Sequence, residues 1–150
     1  MPVPCPTLND AVRSLIYGSF VETGRAPSAA ETAAALSVDP TRTERAYRDL
    51  GNAHAMVLAP DGLTVRMAHP FSGAPTPYVV TSAGISYWAN CAWDTLGIAA
   101  ILGRDTEAIA RCPDCGESID LSVQDGKVCA SGVIHFVVPP RRFWDDIGYT

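Results

Sequence analysis

The stretch Ala55–Ala68, AMVLAPDGLTVRMA, decides how the first half of this chain is organised. Two short apolar runs flank Pro60-Asp61-Gly62, and turn residues in that position predict a β-hairpin. Before the hairpin the chain carries helix signals, and after it comes a proline-rich crossing segment. The hairpin is therefore expected to close one structural unit before a second begins.

Three helices are predicted before the hairpin, each from its own start signal. Thr7 begins the first helix, whose apolar residues recur at helical spacing until Gly24 stops it. Ser28 and Glu31 form the capping-box pattern of the second helix. The third starts at Asp39-Pro40, where proline is tolerated near the first helical position. Three helices followed by a hairpin are typical of a winged-helix domain, which we place at residues 1–70.

The second half, residues 71–150, is predicted as a separate domain. Residues 69–80, HPFSGAPTPYVV, hold three prolines and mark the boundary. Residues 86–102 are predicted as a largely buried helix, in which Gly97 indicates close packing or a break. Strands are predicted around Ala108–Arg111, Ile119–Val123, Lys127–Cys129 and Val133–Val138, with a turn at Asp125-Gly126 and a short helix from Arg141. The predicted fold class is α+β: the three-helix winged-helix-like domain, then a helix packed on a small, mostly antiparallel sheet.

Composition and charge exclude several classes of function. The chain has 150 residues, 47% hydrophobic and 18% charged, and this balance excludes disorder as the main state. Residues 1–70 carry six arginines and seven acidic residues, so the predicted winged helix lacks the basic excess of a nucleic-acid-binding face. A structural or dimerising role suits it better. Since no apolar run is long enough to span a membrane and the N-terminus does not resemble a signal peptide, we predict a cytoplasmic protein.

Five cysteines, an odd number in a chain predicted to be reduced, argue against a disulfide framework. The sharpest constellation is the sequence NCAWD, residues 90–94. On a helix, Cys91 and Asp94 would lie on one face, which places a soft thiol ligand beside a proton-carrying carboxyl group. Burial would favour the protonated carboxyl group that acid catalysis needs, and it would raise the pKa of the thiol. A plain core cysteine beside a capping or ion-paired aspartate is the alternative interpretation.

A second cysteine pair lies in the sequence CPDCG, residues 112–116. Such a turn is half of a zinc ribbon, in which two thiolates from Cys112 and Cys115 would fit a tetrahedral site. The other half is missing, since Cys129 and His135 are the only downstream candidates. A zinc site, a redox pair, a thiol pair that hands metal on and a vestigial turn stay open. The structural or vestigial interpretations are favoured over a filled zinc site.

The other histidines and aromatic residues are expected to be structural. We predict that each histidine faces solvent or has its ring nitrogens hydrogen-bonded. The larger aromatic residues are predicted to lie in the core, unless they line a pocket near Cys91. The residues concerned are His54, His69, His135, Tyr78, Tyr87, Trp88, Trp93 and Trp144.

Residues 87–98, YWANCAWDTLGI, resemble the organomercurial (alkylmercury) lyase family. The resemblance continues through CPDCGE at 112–117 and SGVIHFVVPPRRFWDDIGYT at 131–150, and the winged-helix pattern fits the family's layout. It implies an enzyme of mercury resistance and detoxification that cleaves a carbon–mercury bond by protonolysis, giving a hydrocarbon and Hg(II). By this resemblance Cys91 is the mercury ligand and Asp94 the proton donor. It implies no organic cofactor, free thiols as helpers, and a mercuric reductase as recipient of the product.

The family's second functional cysteine is the point of departure. It follows shortly after a segment like RRFWDDIGYT, and no cysteine occupies the matching place before Thr150. Either the sequence is a fragment, or Cys112, Cys115, Cys129 or an exogenous thiol substitutes. Two alternatives are therefore kept: a non-catalytic protein that binds mercury or another soft metal, and a winged-helix regulator that senses metal.

Overall fold

The computed structural model describes residues 6–112 and 114–148. Cys5, the proline of the CPDCG turn and the last two residues of the resemblance lie outside this range. The first three helices are α1 (Leu8–Thr23), α2 (Ala29–Leu36) and α3 (Pro40–Asn52). Thr7 and Ser28 each close a capping box, and Gly24 ends α1 in the left-handed conformation. The predicted helices and their start signals are confirmed.

The predicted hairpin forms the first sheet. Its strands are β1 (Val57–Leu58), β2 (Val65–Ala68) and β3 (Phe71–Ser72), in that order and antiparallel. Asp61 shapes the turn, because its carboxylate accepts hydrogen bonds from the backbone amides of Leu63 and Thr64 at 2.8 and 2.9 Å. The unpredicted β3 lies beyond residue 70 and pairs with β2. The winged-helix assignment and the boundary after residue 70 stay predictions.

The second sheet is antiparallel throughout, in the order β5-β4-β6-β7-β8. Its strands are β4 (Val79–Ser82), β5 (Ile85–Trp88), β6 (Thr106–Arg111), β7 (Ser118–Gln124) and β8 (Lys127–Ala130). Helix α4 (Ala92–Leu102) lies between β5 and β6 in the chain, and a short 3₁₀ helix spans Pro140–Asp145. The α+β class is confirmed. None of the helices in the described ranges is long and apolar enough to cross a membrane.

Two predicted elements are wrong in part. The helix over residues 86–102 begins only at Ala92, because β5 pairs with β4 through a tight turn at Ala83 and Gly84, both at positive φ (49° and 80°). The strand predicted over 133–138 does not form, since this segment pairs with no strand among the described residues. Gly132, at φ 118°, interrupts the extended run after β8.

One hydrophobic core joins the helices to both sheets. Phe20 of α1 stacks on Phe71 of β3, with ring centroids 4.9 Å apart and planes 7° from parallel. The buried Tyr87 of β5 donates a hydrogen bond from its hydroxyl to the Val21 carbonyl at 3.0 Å. These contacts fix the end of β5, and hence the loop that follows it, against the N-terminal helices.

Candidate functional site

A pocket of about 350 Å³ lies where β5 passes into α4. One wall is polar and is formed by His69, Asn90, Cys91 and Asp94, and the opposite wall is apolar. The pocket brings together Cys91 and Asp94, as the sequence predicts, although the helix begins between them. The volume and apolar share are those of a small-molecule site.

Cys91 is the residue immediately before α4. Its backbone is extended (φ −150°, ψ 178°), and it takes the N-cap position of α4 after the chain bends at Asn90. Burial of the sulfur raises the pKa of the Cys91 thiol, and the negative charge of Asp94 raises it further. The backbone amides of Trp93 and Asp94 oppose this shift, although neither makes a capping hydrogen bond of ordinary geometry to the sulfur. Near neutral pH the thiol is therefore mainly protonated and has a carboxyl group beside it.

Asp94 lies in the first turn of α4 and faces the pocket. Only 16% of its side chain is exposed, and its Oδ2 is 3.8 Å from Nδ1 of His69. A carboxyl group so placed can exchange a proton with the thiol on one side and with an imidazole on the other.

His69 is the site residue that sequence reasoning missed, because it was expected to be merely solvent-facing or satisfied. It reaches the pocket through tertiary contacts: Tyr17 donates a hydrogen bond to its carbonyl at 2.9 Å. The side-chain amide of Asn90 donates hydrogen bonds to the backbone carbonyls of the next two residues, Pro70 and Phe71, at 3.1 and 3.2 Å. The only sequence signal was its place at the start of the proline-rich crossing segment.

The apolar wall is aromatic. The ring of Trp93 lies edge-on to Phe136 at 6.0 Å, and Phe136 lies 5.7 Å from Phe143. Trp93 is 54% exposed and lines the pocket beside Cys91, which is the exception that the sequence analysis allowed. Trp144 is 43% exposed, so the expectation that it is a core residue is wrong. Trp144 instead stacks on the ring of His54 at 4.2 Å, which holds the 3₁₀ helix against the end of α3.

The Cys112–Cys115 turn lies outside this pocket, just after β6. Hydrogen bonds from the backbone amides of Cys115 and Asp114 lower the pKa of the Cys112 thiol, and the Cys115 side chain adds to the effect. Cys115 is exposed, as are Cys129 on β8 and His135. Within residues 6–112 and 114–148, no three His, Cys, Asp or Glu side chains cluster as a metal site. The roles predicted for Cys112 and Cys115 stay predictions.

Fold and site together define an α+β protein with a thiol and a carboxyl group facing each other in a largely apolar pocket. The family model for alkylmercury lyase matches residues 71–150, which include α4 and strands β4 to β8. This range holds every residue that lines the pocket except Met67 and His69. The chain belongs to the alkylmercury lyase family.

One solved structure has the same fold. It is described as the mercury-bound form of MerB2, and it matches with a TM-score of 0.67 at 22% sequence identity. The match covers 83% of this chain and 59% of that chain, so our chain spans only part of that protein's length. No curated protein sequence matches significantly.

Proposed function

We propose that this chain acts as an organomercurial lyase, with Cys91 as mercury ligand and Asp94 as proton donor. The observation that supports it is the half-buried Cys91 thiol beside the Asp94 carboxyl group in the pocket of a chain that belongs to the alkylmercury lyase family. The products are a hydrocarbon and Hg(II), and the substrate is an organomercurial carried on a cellular thiol.

The proton required by the reaction can come from the thiol itself. Mercury is soft, so a thiolate is its fitting ligand, and binding it requires Cys91 to lose its proton. Asp94 is in place to take that proton as the carbon–mercury unit moves from the carrier to Cys91, and the carrier leaves as a thiolate anion. Asp94 then gives a proton to the carbon as the carbon–mercury bond breaks. A second thiolate on mercury promotes this step by raising electron density at the metal, and free thiols are expected to supply it.

The aromatic wall suits the organic group of such a substrate. Trp93, Phe136 and Phe143 present ring surface opposite the polar wall. A hydrocarbon group on mercury would lie against these rings while the metal meets Cys91.

The test is release of hydrocarbon by the purified chain. We expect the chain, with excess glutathione, to convert phenylmercury to benzene, detected by gas chromatography. Cys91→Ala and Asp94→Asn should each lower the rate at least about 100-fold, in the range lost with a catalytic acid. Cys129→Ser, which removes an exposed thiol on β8, is the matched control and should keep the wild-type rate. Turnover retained in Cys91→Ala would refute the site assignment.

A second candidate is a mercury- or soft-metal-binding protein of this fold without turnover. It is favoured by one observation: among the described residues, Cys91 is the only cysteine that lines the pocket. Stoichiometric retention of mercury with no benzene, at any thiol concentration, would establish this candidate over the lyase. A cytoplasmic location and delivery of Hg(II) to a mercuric reductase belong to the lyase proposal.

A further inference from the structure

We propose that the aromatic wall of the pocket, formed by Trp93, Phe136 and Phe143, makes the site selective for aryl over methyl groups on mercury. Trp93 is the residue that determines this specificity. The inference rests on the proposed function, because it takes the metal of an organomercurial to be held at Cys91. It goes further by naming the class of organic group that the site takes, which is an uncharged aromatic ring.

Trp93 is positioned by the same helix start as the thiol and the carboxyl group. Cys91 takes the N-cap of α4, and Trp93 and Asp94 follow in its first turn. All three residues line the pocket. Successive helical residues point about 100° apart, so the indole lies to one side of the carboxyl group rather than behind it. An organic group on a metal held at Cys91 can therefore contact the indole while its carbon faces Asp94.

The three rings of the wall lie in a row. The ring centroids of Trp93 and Phe136 are 6.0 Å apart with planes inclined at 65°, and those of Phe136 and Phe143 are 5.7 Å apart at 46°. Aromatic rings pair favourably in edge-on and offset arrangements at centroid distances of about 4.5–7 Å. A ligand ring can join this row in the same geometry, whereas a methyl group has no ring to pair.

The indole of Trp93 is apolar surface that the protein leaves uncovered. Trp93 is 54% exposed, whereas the aromatic residues of the core are almost fully buried. Covering the indole with a ligand removes apolar area from water on both partners, and the gain in free energy grows with that area. A phenyl ring covers more of the indole than a methyl group does, so this surface favours the aromatic group.

The size and charge of the pocket point to the same class of ligand. Its volume is about 350 Å³, and a methyl group, which is about as large as a water molecule with its share of about 30 Å³, would fill roughly a tenth of it. The rest would hold water against aromatic rings, and a phenyl ring displaces that water. Among the described residues that line the pocket there is no Lys or Arg to pair with an acidic organic group.

A thiol-exchange equilibrium isolates the contribution of the wall. The organomercurial passes from glutathione to Cys91, so one mercury–sulfur bond breaks and one forms, and nothing is oxidised or reduced. Cys91 loses a proton and glutathione takes one up. Because every organic group exchanges the same kinds of bond, the strength of the mercury–sulfur bond cancels. A difference in exchange constant between phenylmercury and methylmercury therefore measures the surroundings of the organic group in the pocket.

The experiment uses the full chain with Asp94→Asn, which removes the proton donor and leaves the bound compound uncleaved. Phenylmercury or methylmercury, each as its glutathione complex, is dialysed to equilibrium against this protein over a range of glutathione concentrations, and mercury is quantified by mass spectrometry. The same measurement with Cys91→Ser gives the mercury held at other thiols, which is subtracted. Phenylmercury should exchange at least about tenfold more favourably than methylmercury, since even one methylene is worth about that much in an apolar pocket.

Variants of the wall assign this preference to its residues. Trp93→Ala should bring the ratio of the two exchange constants close to one, whereas Trp93→Phe, which keeps a ring, should keep most of the preference. Phe143→Leu alters the wall without changing α4 and should also lower the ratio. Ile101→Ala is the matched control, because Ile101 is a 45% exposed apolar residue of the same helix outside the pocket. Circular dichroism checks that each variant is folded.

The outcomes separate this inference from the lyase proposal. Equal exchange constants for the two compounds, or a ratio that Trp93→Ala and Ile101→Ala change equally, would overturn the inference and leave the lyase proposal in place. If neither compound binds at Cys91, the inference and the proposed function both fail. A phenyl preference that depends on Trp93 supports the inference even if the chain with Asp94 intact releases no benzene, and that result would refute the lyase alone.

Discussion

Replacing Asn90 with alanine should loosen the polar wall of the pocket without touching its thiol or carboxyl group. The Asn90 amide donates to the carbonyls of Pro70 and Phe71 at 3.1 and 3.2 Å, and its Nδ2 lies 3.4 Å from Nδ1 of His69. These contacts join the residue before Cys91 to the segment that carries His69. We expect Asn90→Ala to loosen the packing of the His69 segment against the start of α4.

The size of the effect follows from those contacts. Two hydrogen bonds contribute about 1 kcal/mol each, and taking the side-chain donor away from two partly buried carbonyls adds to the loss. Against this, the buried Oδ1 of Asn90 has no hydrogen-bond partner in the part of the chain described, so deleting it returns some free energy. We therefore expect Asn90→Ala to lower the free energy of unfolding by about 2 kcal/mol. At about 2–4 °C per kcal/mol for a chain of this size, the Tm should fall by about 4–8 °C.

Thermal unfolding followed by circular dichroism measures this, with Asn52→Ala as the control, because Asn52 is exposed at the end of α3. Asn90→Asp should lower the Tm more than Asn90→Ala does, because it points a carboxylate at two carbonyl oxygens near Asp94. If Asn90→Ala melts within about 1 °C of Asn52→Ala, the contacts carry no net stability and the reasoning fails.

Two further predictions rest on thiol chemistry and on packing. Near neutral pH, iodoacetamide should modify Cys112 faster than Cys91, because amide hydrogen bonds lower the pKa of the Cys112 thiol and burial raises that of the Cys91 thiol. Peptide mass mapping over time measures the two alkylation rates, and faster modification of Cys91 would contradict the prediction. Gly18→Ala should stabilise α1 by about 1 kcal/mol, since a Cβ there meets nothing within 4 Å. Gly97→Ala should bring no such gain, because its Cβ would lie 2.9 Å from Cβ of Pro70 and overpacking costs about 1–3 kcal/mol. Urea unfolding compares the two glycine variants, and equal gains would show that Gly97 is not tightly packed.

Local signals in the sequence located the N-terminal helices well. Thr7 and Ser28 close capping boxes with side chains three residues away, so the information that starts each helix lies inside the helix. The Pro60-Asp61-Gly62 turn is equally local. By contrast, the residues from Tyr87 to Ile98 are apolar without a clear period, and such a run does not distinguish a strand from a helix. The Ala83-Gly84 turn was the missed signal that a strand precedes α4.

The site residues also fall into those that local sequence predicts and those that only tertiary contacts bring together. Cys91 and Asp94 were found because they are neighbours in sequence, and their adjacency does not depend on how the rest of the chain folds. His69 lies 21 residues before Asn90 and meets it only through tertiary hydrogen bonds. Phe136 and Phe143 reach the pocket from a segment that pairs with no strand among the described residues. Periodicity carries no information about such contacts.

The boundary between β5 and α4 matters more than its length suggests. If residues 86–102 were one helix, Cys91 and Asp94 would both lie within it, and helical spacing alone would place their side chains. Because β5 ends at Trp88 and the chain bends at Asn90 before α4 begins at Ala92, the thiol instead precedes the helix while the carboxyl group lies in its first turn. The site is therefore built on a strand-to-helix junction, and the same junction brings the side chain of Asn90 into the pocket beside Cys91.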